Sequence, residues 1–265
     1  MRKRVDQEKK GVRRVAVSAP PPPPAADRRD LINTLDMRLA LTKKRFDKDL
    51  EKYQGRLNLL TRNPKFRQRS LIIVFEGSDA AGKGGSIRRI TGALDARQYQ
   101  TIPIAAPTEE EREQPYLWRF WRHAPRTGRV TIFDRSWYGR VLVERVEGFA
   151  PEADWMRAYA EINDFEDQLV RNGALVVKFW LAITAEEQLN RFKEREKTRF
   201  KRFKITAEDW RNRKKWDDYE HAVCDMIDRT STEITPWTLV EANDKYHARI
   251  KGLMNRGDRL GGGLW

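Results

Sequence analysis

"LIIVFEGSDAAGKGGSIRRI", residues 71 to 90, passes from a short apolar run through a glycine-rich turn into a segment with helical spacing. A strand, a tight turn and a helix form the context in which glycines let main-chain N–H groups converge on an anion at a helix amino terminus. Gly77, Gly82 and Lys83 satisfy the spacing G-x-x-x-x-G-K, with Ser78, Ala80 and Ala81 inside the loop and Gly84 and Gly85 opening the helix. The stretch predicts a phosphate-binding loop. It departs from the usual pattern at Gly84, where a Ser or Thr hydroxyl normally reaches magnesium. Asp79, inside the loop, offers a hard oxygen in its place. Ser86 is a weaker substitute, because it already lies on the helix. A second carboxylate, Asp134, ends the apolar run "VTIFD" and is followed by "RSWYGR", which supplies Arg135 and Arg140. A residue that ends a strand emerges at the same sheet edge as the loop, so Asp79 and Asp134 are the candidate magnesium ligands. The plainer alternatives are a turn cap for Asp79 and a strand-end ion pair with Arg135 or Arg140 for Asp134.

Outward from the loop, apolar runs recur at 71–76, 101–105, 130–134, 174–183 and 237–242, separated by segments with helical spacing. Strands that lack apolar/polar alternation, each followed by a helix, predict an α/β fold. Its parallel sheet has about five strands, with the site at their carboxyl ends. Leu31, Leu35, Leu39, Phe46, Leu50 and Leu57 lie at roughly helical spacing and predict a helix or helix pair ahead of the core, broken before Pro64. Residues 1–29, basic and ending in a proline run, are expected to form a disordered arm. The domain is expected at 30–251 and an irregular tail at 252–265.

The net charge of +14 is local, concentrated in residues 1–29 and 191–215. Such patches imply a polyanionic partner. No apolar run is long enough to span a membrane, and Arg13 and Arg14 interrupt what would otherwise resemble the start of a signal peptide, so a cytoplasmic location is expected. The single cysteine, Cys224, excludes an internal disulfide, and His123, His221 and His247 show no metal-ligand spacing.

The basic segment "RFKEREKTRFKRFKITAEDWRNRKKW" places Arg191 and Arg195 on one helical face, and Thr206 with Asp209 resembles a helix start. Two basic helices joined by a short linker predict a lid, at about 191–220, that delivers arginines to phosphates. In "QPYLWRFWRHAPRTG", Leu117, Phe120, Trp121 and Ala124 share one helical side and are expected in the core, while nothing marks His123 as a nucleophile.

"GSDAAGKGG", "FDRSWYGR" and "KRFKITAEDWRNRKKWDDYEHA" together resemble the polyphosphate kinase 2 family, and "NDFEDQL" with "DRTSTEITPWTLVEANDKYHARIK" resembles the branch that phosphorylates AMP. The resemblance runs from about Asp30 to Lys251. It implies a P-loop kinase-like, three-layer fold with a helical lid, dependence on Mg2+, inorganic polyphosphate and AMP or ADP as partners, and a homo-oligomer, dimer or tetramer. Family roles match Asp79, Lys83, Asp134 and Arg135 directly, and Glu144, Arg195 and Arg213 more loosely, with Arg140 and Arg191 as further phosphate-binding candidates. Two departures stand out: members of this branch commonly carry two such domains, and "GLMNRGDRLGGGLW" replaces the family's closing helix.

The implied reaction is in-line transfer of a terminal polyphosphate phosphoryl group to AMP, giving ADP, and other nucleoside mono- or diphosphates are further acceptors to consider. Which reactant lies on the loop and which under the lid is left open. An ATP-dependent nucleoside or nucleotide kinase is the alternative from the same class. A nucleic-acid-binding protein with a vestigial loop is the alternative from another class.

Overall fold

A computed structural model describes residues 30–264, and the expected arm at 1–29 lies outside the described residues. A single turn, α1 (Asp30–Asn33), precedes α2 (Lys43–Arg62), whose first turn is capped by the Thr42 hydroxyl accepting the Arg45 N–H. A 3-10 turn at Pro64–Gln68 feeds β1 (Ser70–Gly77), and the phosphate loop joins it to α3 (Lys83–Thr91). Next come β2 (Tyr99–Pro103), two single turns, α4 (Glu109–Arg112) and α5 (Trp118–Trp121), and β3 (Val130–Asp134). After a 3-10 segment at Trp137–Val141 the chain forms α6 (Val143–Val146), α7 (Glu152–Arg171) and β4 (Ala174–Ala182). The segment expected to form a lid, about 191–220, begins within α8 (Ala185–Lys197) and runs through a 3-10 segment at Arg199–Lys204 and α9 (Ala207–Lys214). Finally α10 (Trp216–Thr230), β5 (Trp237–Glu241) and α11 (Lys245–Leu264) complete the fold.

The strands lie in the order β2-β3-β1-β4-β5, all parallel, so all five expected strands are present. Successive residues of β1 serve opposite layers, as the period of two requires. Leu71, Ile73 and Phe75 pack in one core with residues of α2, α3 and α11, while Ile72 and Val74 pack in the other with residues of α7 and α10. Each fully buried side chain of this kind contributes roughly 1.5–3 kcal/mol. The sheet is therefore a rigid platform for the loops at its carboxyl edge.

Lys178 interrupts the apolar run of β4 and is wholly buried. Its ammonium donates to Glu166 Oε2 at 2.7 Å, the Tyr138 hydroxyl at 2.7 Å and the Thr230 carbonyl at 2.8 Å. A buried charge is tolerated when its hydrogen bonds are satisfied in this way. Through Tyr138 and Trp137, which both donate to Glu166 Oε1, the same network pins the segment that follows Asp134.

Three expectations are corrected. The helical spacing over 30–41 yields only the single turn α1, because Thr42 starts a new helix and Asp244 Oδ1 holds the Leu41 N–H at 3.2 Å. Leu35 packs against the second core, but Leu39 is exposed. The irregular tail expected at 252–265 is helical as far as it is described: α11 continues to Leu264. Buried Ala248, Ile250 and Leu253 anchor that helix, and propagation from an anchored turn needs little per added residue. In 116–126 only one helical turn forms; Phe120 is buried there, whereas Trp121 is partly exposed and meets Phe165 edge-on. No helix among the described residues is long and apolar enough to cross a membrane.

Candidate active site

The loop after β1 turns on two glycines for different reasons. Gly77 has φ +150°, and a Cβ there would lie 2.5 Å from the Leu181 carbonyl oxygen of β4, so no side chain fits. Gly82 caps α3 with φ +107°, a conformation that L side chains rarely adopt. Gly84 differs, because a Cβ there meets nothing within 4 Å. Packing would admit a serine at 84, so the missing hydroxyl is not a steric necessity. Ser86, its weaker substitute, is buried on α3.

The Lys83 ammonium folds over the loop and donates to the carbonyls of Gly77 at 2.7 Å and Ser78 at 3.4 Å. Burial pushes its pKa down, as does neighbouring Arg135, while Asp79, Glu76 and Asp134 oppose the shift. The Asp79 carboxylate accepts from Arg135 Nη2 at 3.1 Å on one oxygen and from Asn212 Nδ2 at 2.9 Å on the other. Asp134 ends β3, as expected, and Arg135 follows in the left-handed region with φ 65°. The Arg135 N–H donates to the Phe75 carbonyl at 3.0 Å, which ties this turn to β1. Next to it, Ser136 Oγ donates to buried Glu76 Oε1 at 2.8 Å, so β1 and β3 are joined again beneath the loop.

Two of the cavities at this edge meet. One, with about 1670 Å³ of empty space, is lined by loop residues 79–85 and by Asp134. Lys83, Arg88, Arg89 and Arg135 border it from the body, Arg195, Lys201 and Lys204 from the lid, and Arg249 from α11. These eight cationic groups face only four carboxylates, of which Asp209 is already engaged in the capping box with Thr206. The second cavity is walled mainly by Leu142, Val143, Trp180, Trp216, Tyr219 and Val223. The two cavities share Asp79, Arg135 and Asn212. A strongly basic groove and an apolar, aromatic-walled pocket thus meet at one acid, one guanidinium and one amide.

Asp79, Lys83, Asp134, Arg135 and Arg195 are brought together at the basic cavity, along with loop residues Ala80, Ala81, Gly82, Gly84 and Gly85. Gly77 and Ser78 line the apolar one. Four further candidates do not line these two cavities. Arg191 shares a helix with Arg195, but its guanidinium is almost wholly buried and donates to the carbonyls of Ala80, Ala81, Ala242 and Asn243. It braces the loop and, although outside the wall of the basic cavity, lines a third cavity beside the loop together with Arg195, Lys201, Lys204 and Arg249. Arg213 donates to the Ala185 carbonyl at 2.7 Å and to Gln188 Oε1 at 3.0 Å, which clamps α9 to α8. Arg140 and Glu144 form an ion pair at 2.7 Å, with the guanidinium over the Tyr116 ring, and neither lines the two cavities.

Sequence reasoning did not single out Asn212, Arg88, Arg89, Arg249 or Trp216. Arg88 and Arg89 carried a local signal, standing one turn and a half into the helix that the loop opens. Asn212 and Arg249 carried none, since their partners are distant in sequence.

The family model described as Polyphosphate kinase 2 (PPK2) matches residues 40–258. The chain belongs to the polyphosphate kinase 2 family. A relative from Pseudomonas aeruginosa named polyphosphate:AMP phosphotransferase is 64% identical over 234 residues, which cover 88% of this chain and 47% of the relative. The chain therefore spans about half the length of that relative. A crystal structure from Pseudomonas aeruginosa assigned to polyphosphate kinase 2 superposes with a TM-score of 0.87 at 64% identity, covering 90% of this chain and 51% of the other. The crystal structure of Polyphosphate Kinase 2 from Arthrobacter aurescens gives 0.82 at 36% identity, covering 87% and 84%.

Proposed function

We propose that this chain is a polyphosphate-dependent nucleotide kinase that transfers a terminal phosphoryl group from inorganic polyphosphate to AMP. The observation that carries this reading is the junction of the two cavities at Asp79, Arg135 and Asn212. A chain of phosphates suits the long basic cavity, and a nucleoside suits the aromatic-walled one. That arrangement supports a reading with the polyphosphate on the loop and lid and the AMP phosphate at the junction.

An AMP phosphate oxygen attacks the terminal phosphorus of the polyphosphate. One P–O bond forms, the bond to the next phosphate breaks, and ADP and a chain shorter by one phosphate result. No general base is required, because the attacking oxygen is already ionised. The obstacle is repulsion between two anions, so neutralisation and alignment dominate. Loop amides and Lys83 hold the terminal phosphate, Arg135 spans both groups, and Arg195 with the lid lysines neutralises the chain behind them.

The residues present fit magnesium. Among the described residues no cluster of three or more His, Cys, Asp or Glu is poised for a metal. Asp79 and Asp134 line one cavity, and two carboxylates completed by substrate phosphates and water are a donor set that magnesium accepts. Held there, the ion would supply neutralisation between the two phosphate groups.

Incubation of purified protein with AMP, magnesium and polyphosphate, without ATP, should yield ADP. No ADP under these conditions, with product restored by ATP, would establish an ATP-dependent kinase instead.

A further inference from the structure

The lid helix α9 has no buried residue of its own. Polar ties and two ring contacts, Trp210 edge-on to Phe192 at 5.2 Å and the Arg211 guanidinium over Phe149 at 5.7 Å, must therefore determine where it lies. One tie toward its carboxyl end is Glu147, which follows α6 and whose side chain is only 4% exposed. Around this carboxylate stand Arg211 Nε at 3.0 Å, Lys215 Nζ at 3.2 Å and the Tyr219 hydroxyl at 3.4 Å. Lys215 also donates to the neighbouring Val146 carbonyl at 3.0 Å. Residues 211, 215 and 219 come from α9, the joint after it and α10, so one buried acid clasps both sides of that joint.

From Glu147 a continuous polar chain reaches the phosphate loop. Arg211 Nη2 donates to Asn212 Oδ1 at 3.4 Å, and Asn212 Nδ2 donates to Asp79 Oδ2 at 2.9 Å. The contact to Arg211 thereby directs the oxygen of the Asn212 amide toward the guanidinium and its NH2 toward Asp79. We infer that Glu147 is a positioning residue: by clasping the α9–α10 joint through Arg211 and Lys215, it sets the Asn212 amide that orients the Asp79 carboxylate at the meeting point of the two cavities. The inference rests on the proposed phosphoryl transfer for its kinetic consequence, but the clasp itself is a property of the fold. Tyr219, held by the same carboxylate, belongs to the wall of the apolar cavity, so the clasp shapes both sides of the junction.

The test is a double-mutant cycle on kcat for ADP formation from AMP and polyphosphate, using Glu147→Gln, Asn212→Ala and the double variant. Loss of an outer partner of a site residue typically lowers activity 10–100-fold, so each single variant should lose on the order of tenfold. Because both act through one chain, the double variant should fall no further than about twofold below Asn212→Ala alone. Multiplicative losses, or an unchanged kcat in folded Glu147→Gln, would overturn the inference. Arg211→Gln breaks the same chain from the other side and carries the test if Glu147→Gln does not fold. Amide hydrogen exchange supplies a second readout, with faster exchange expected across α9 in Glu147→Gln and none of that change in β1 or β4. Unchanged exchange in α9 would equally refute the clasp. This measurement holds whether or not the wild-type chain phosphorylates AMP, so failure of the clasp and failure of the proposed activity are told apart.

Discussion

Arg135 Nη2 stands 3.1 Å from Asp79 Oδ1, joining the acid of the phosphate loop to the first residue beyond β3 across 56 positions of sequence. The backbone is held in the left-handed region at one end of this contact and next to the other, with φ 65° at Arg135 and 63° at Ala80, which follows Asp79. Such conformations cost of order 1–3 kcal/mol each for residues other than glycine. They persist here because the Arg135 N–H is bonded to Phe75 and the Ala80 carbonyl is held by Arg191. Backbone strain, the carboxylates and the junction of the cavities thus coincide.

Asp79→Asn keeps the shape of the side chain but removes the charge that pairs with Arg135 and one hard anionic ligand. The expected outcome is a loss of about 10²-fold in kcat and a higher magnesium concentration at half-maximal rate. Initial rates of ADP formation across a magnesium titration check this, and an unshifted midpoint would leave Asp134 as the sole carboxylate anchor.

Arg249 is half-buried and close to Arg89; its pKa is pushed down by burial and then by that neighbouring guanidinium. Two like charges placed together near the loop favour an anion between them. Replacing both, Arg89→Gln with Arg249→Gln, should raise KM for long polyphosphate roughly tenfold, with a much smaller effect for tripolyphosphate and for AMP. Equal shifts for long and short chains would place these arginines away from the distal phosphates.

Trp216 begins α10 and lines the apolar cavity. Trp216→Ala removes an aromatic wall worth about 0.5–1.5 kcal/mol beyond its buried area, so KM for AMP should rise by roughly tenfold while KM for polyphosphate stays near its wild-type value. The reverse pattern would exchange the two reactants between the cavities.

Gly77→Ala tests the turn itself. The added methyl would collide with the Leu181 carbonyl, and φ +150° is unsuited to alanine, so a loss of at least about 2 kcal/mol in stability is expected. Gly84→Ala meets open space and should leave the melting temperature near that of the wild type. Thermal melts of the two variants separate steric need from phosphate contact.

Glu76 supplies a pH dependence. Burial pushes its pKa above the ordinary carboxylate range, against the opposing pull of Lys83 and the Ser136 hydrogen bond. Between its unfolded and folded values the native state binds more protons than the unfolded state. Its contribution is therefore fully present below the unfolded value and is lost as pH rises through the folded value. Melting temperature should fall across that window, and Glu76→Gln should flatten this part of the profile.

Much of the sheet and part of the site follow from local pattern. Apolar runs of strand length mark the five strands, and the spacing of Gly77, Gly82 and Lys83 marks the loop, because each signal is complete within a few residues. Thr206 with Asp209 announced the capping box of α9 for the same reason. The misplaced features all depend on a distant partner. Helical spacing puts Arg191 and Arg195 on one face, yet only tertiary contact shows that Arg191 is consumed by the carbonyls of Ala242 and Asn243 while Arg195 faces the basic cavity. Residues 252–265 read as an irregular tail, but the packing of Ile250 and Leu253 anchors a helix that continues to Leu264.

By itself, then, the amino-acid order determines the parallel sheet, the anion-binding turn and the two acids that belong to it, since hydrophobic period and glycine spacing act over one or two turns of chain. Tertiary structure decides which cations face the groove, what completes Asp79 and where the apolar pocket lies. Those depend on contacts such as Asn212 to Asp79, 133 residues apart, which arise only when the packed layers hold α9 over the sheet edge.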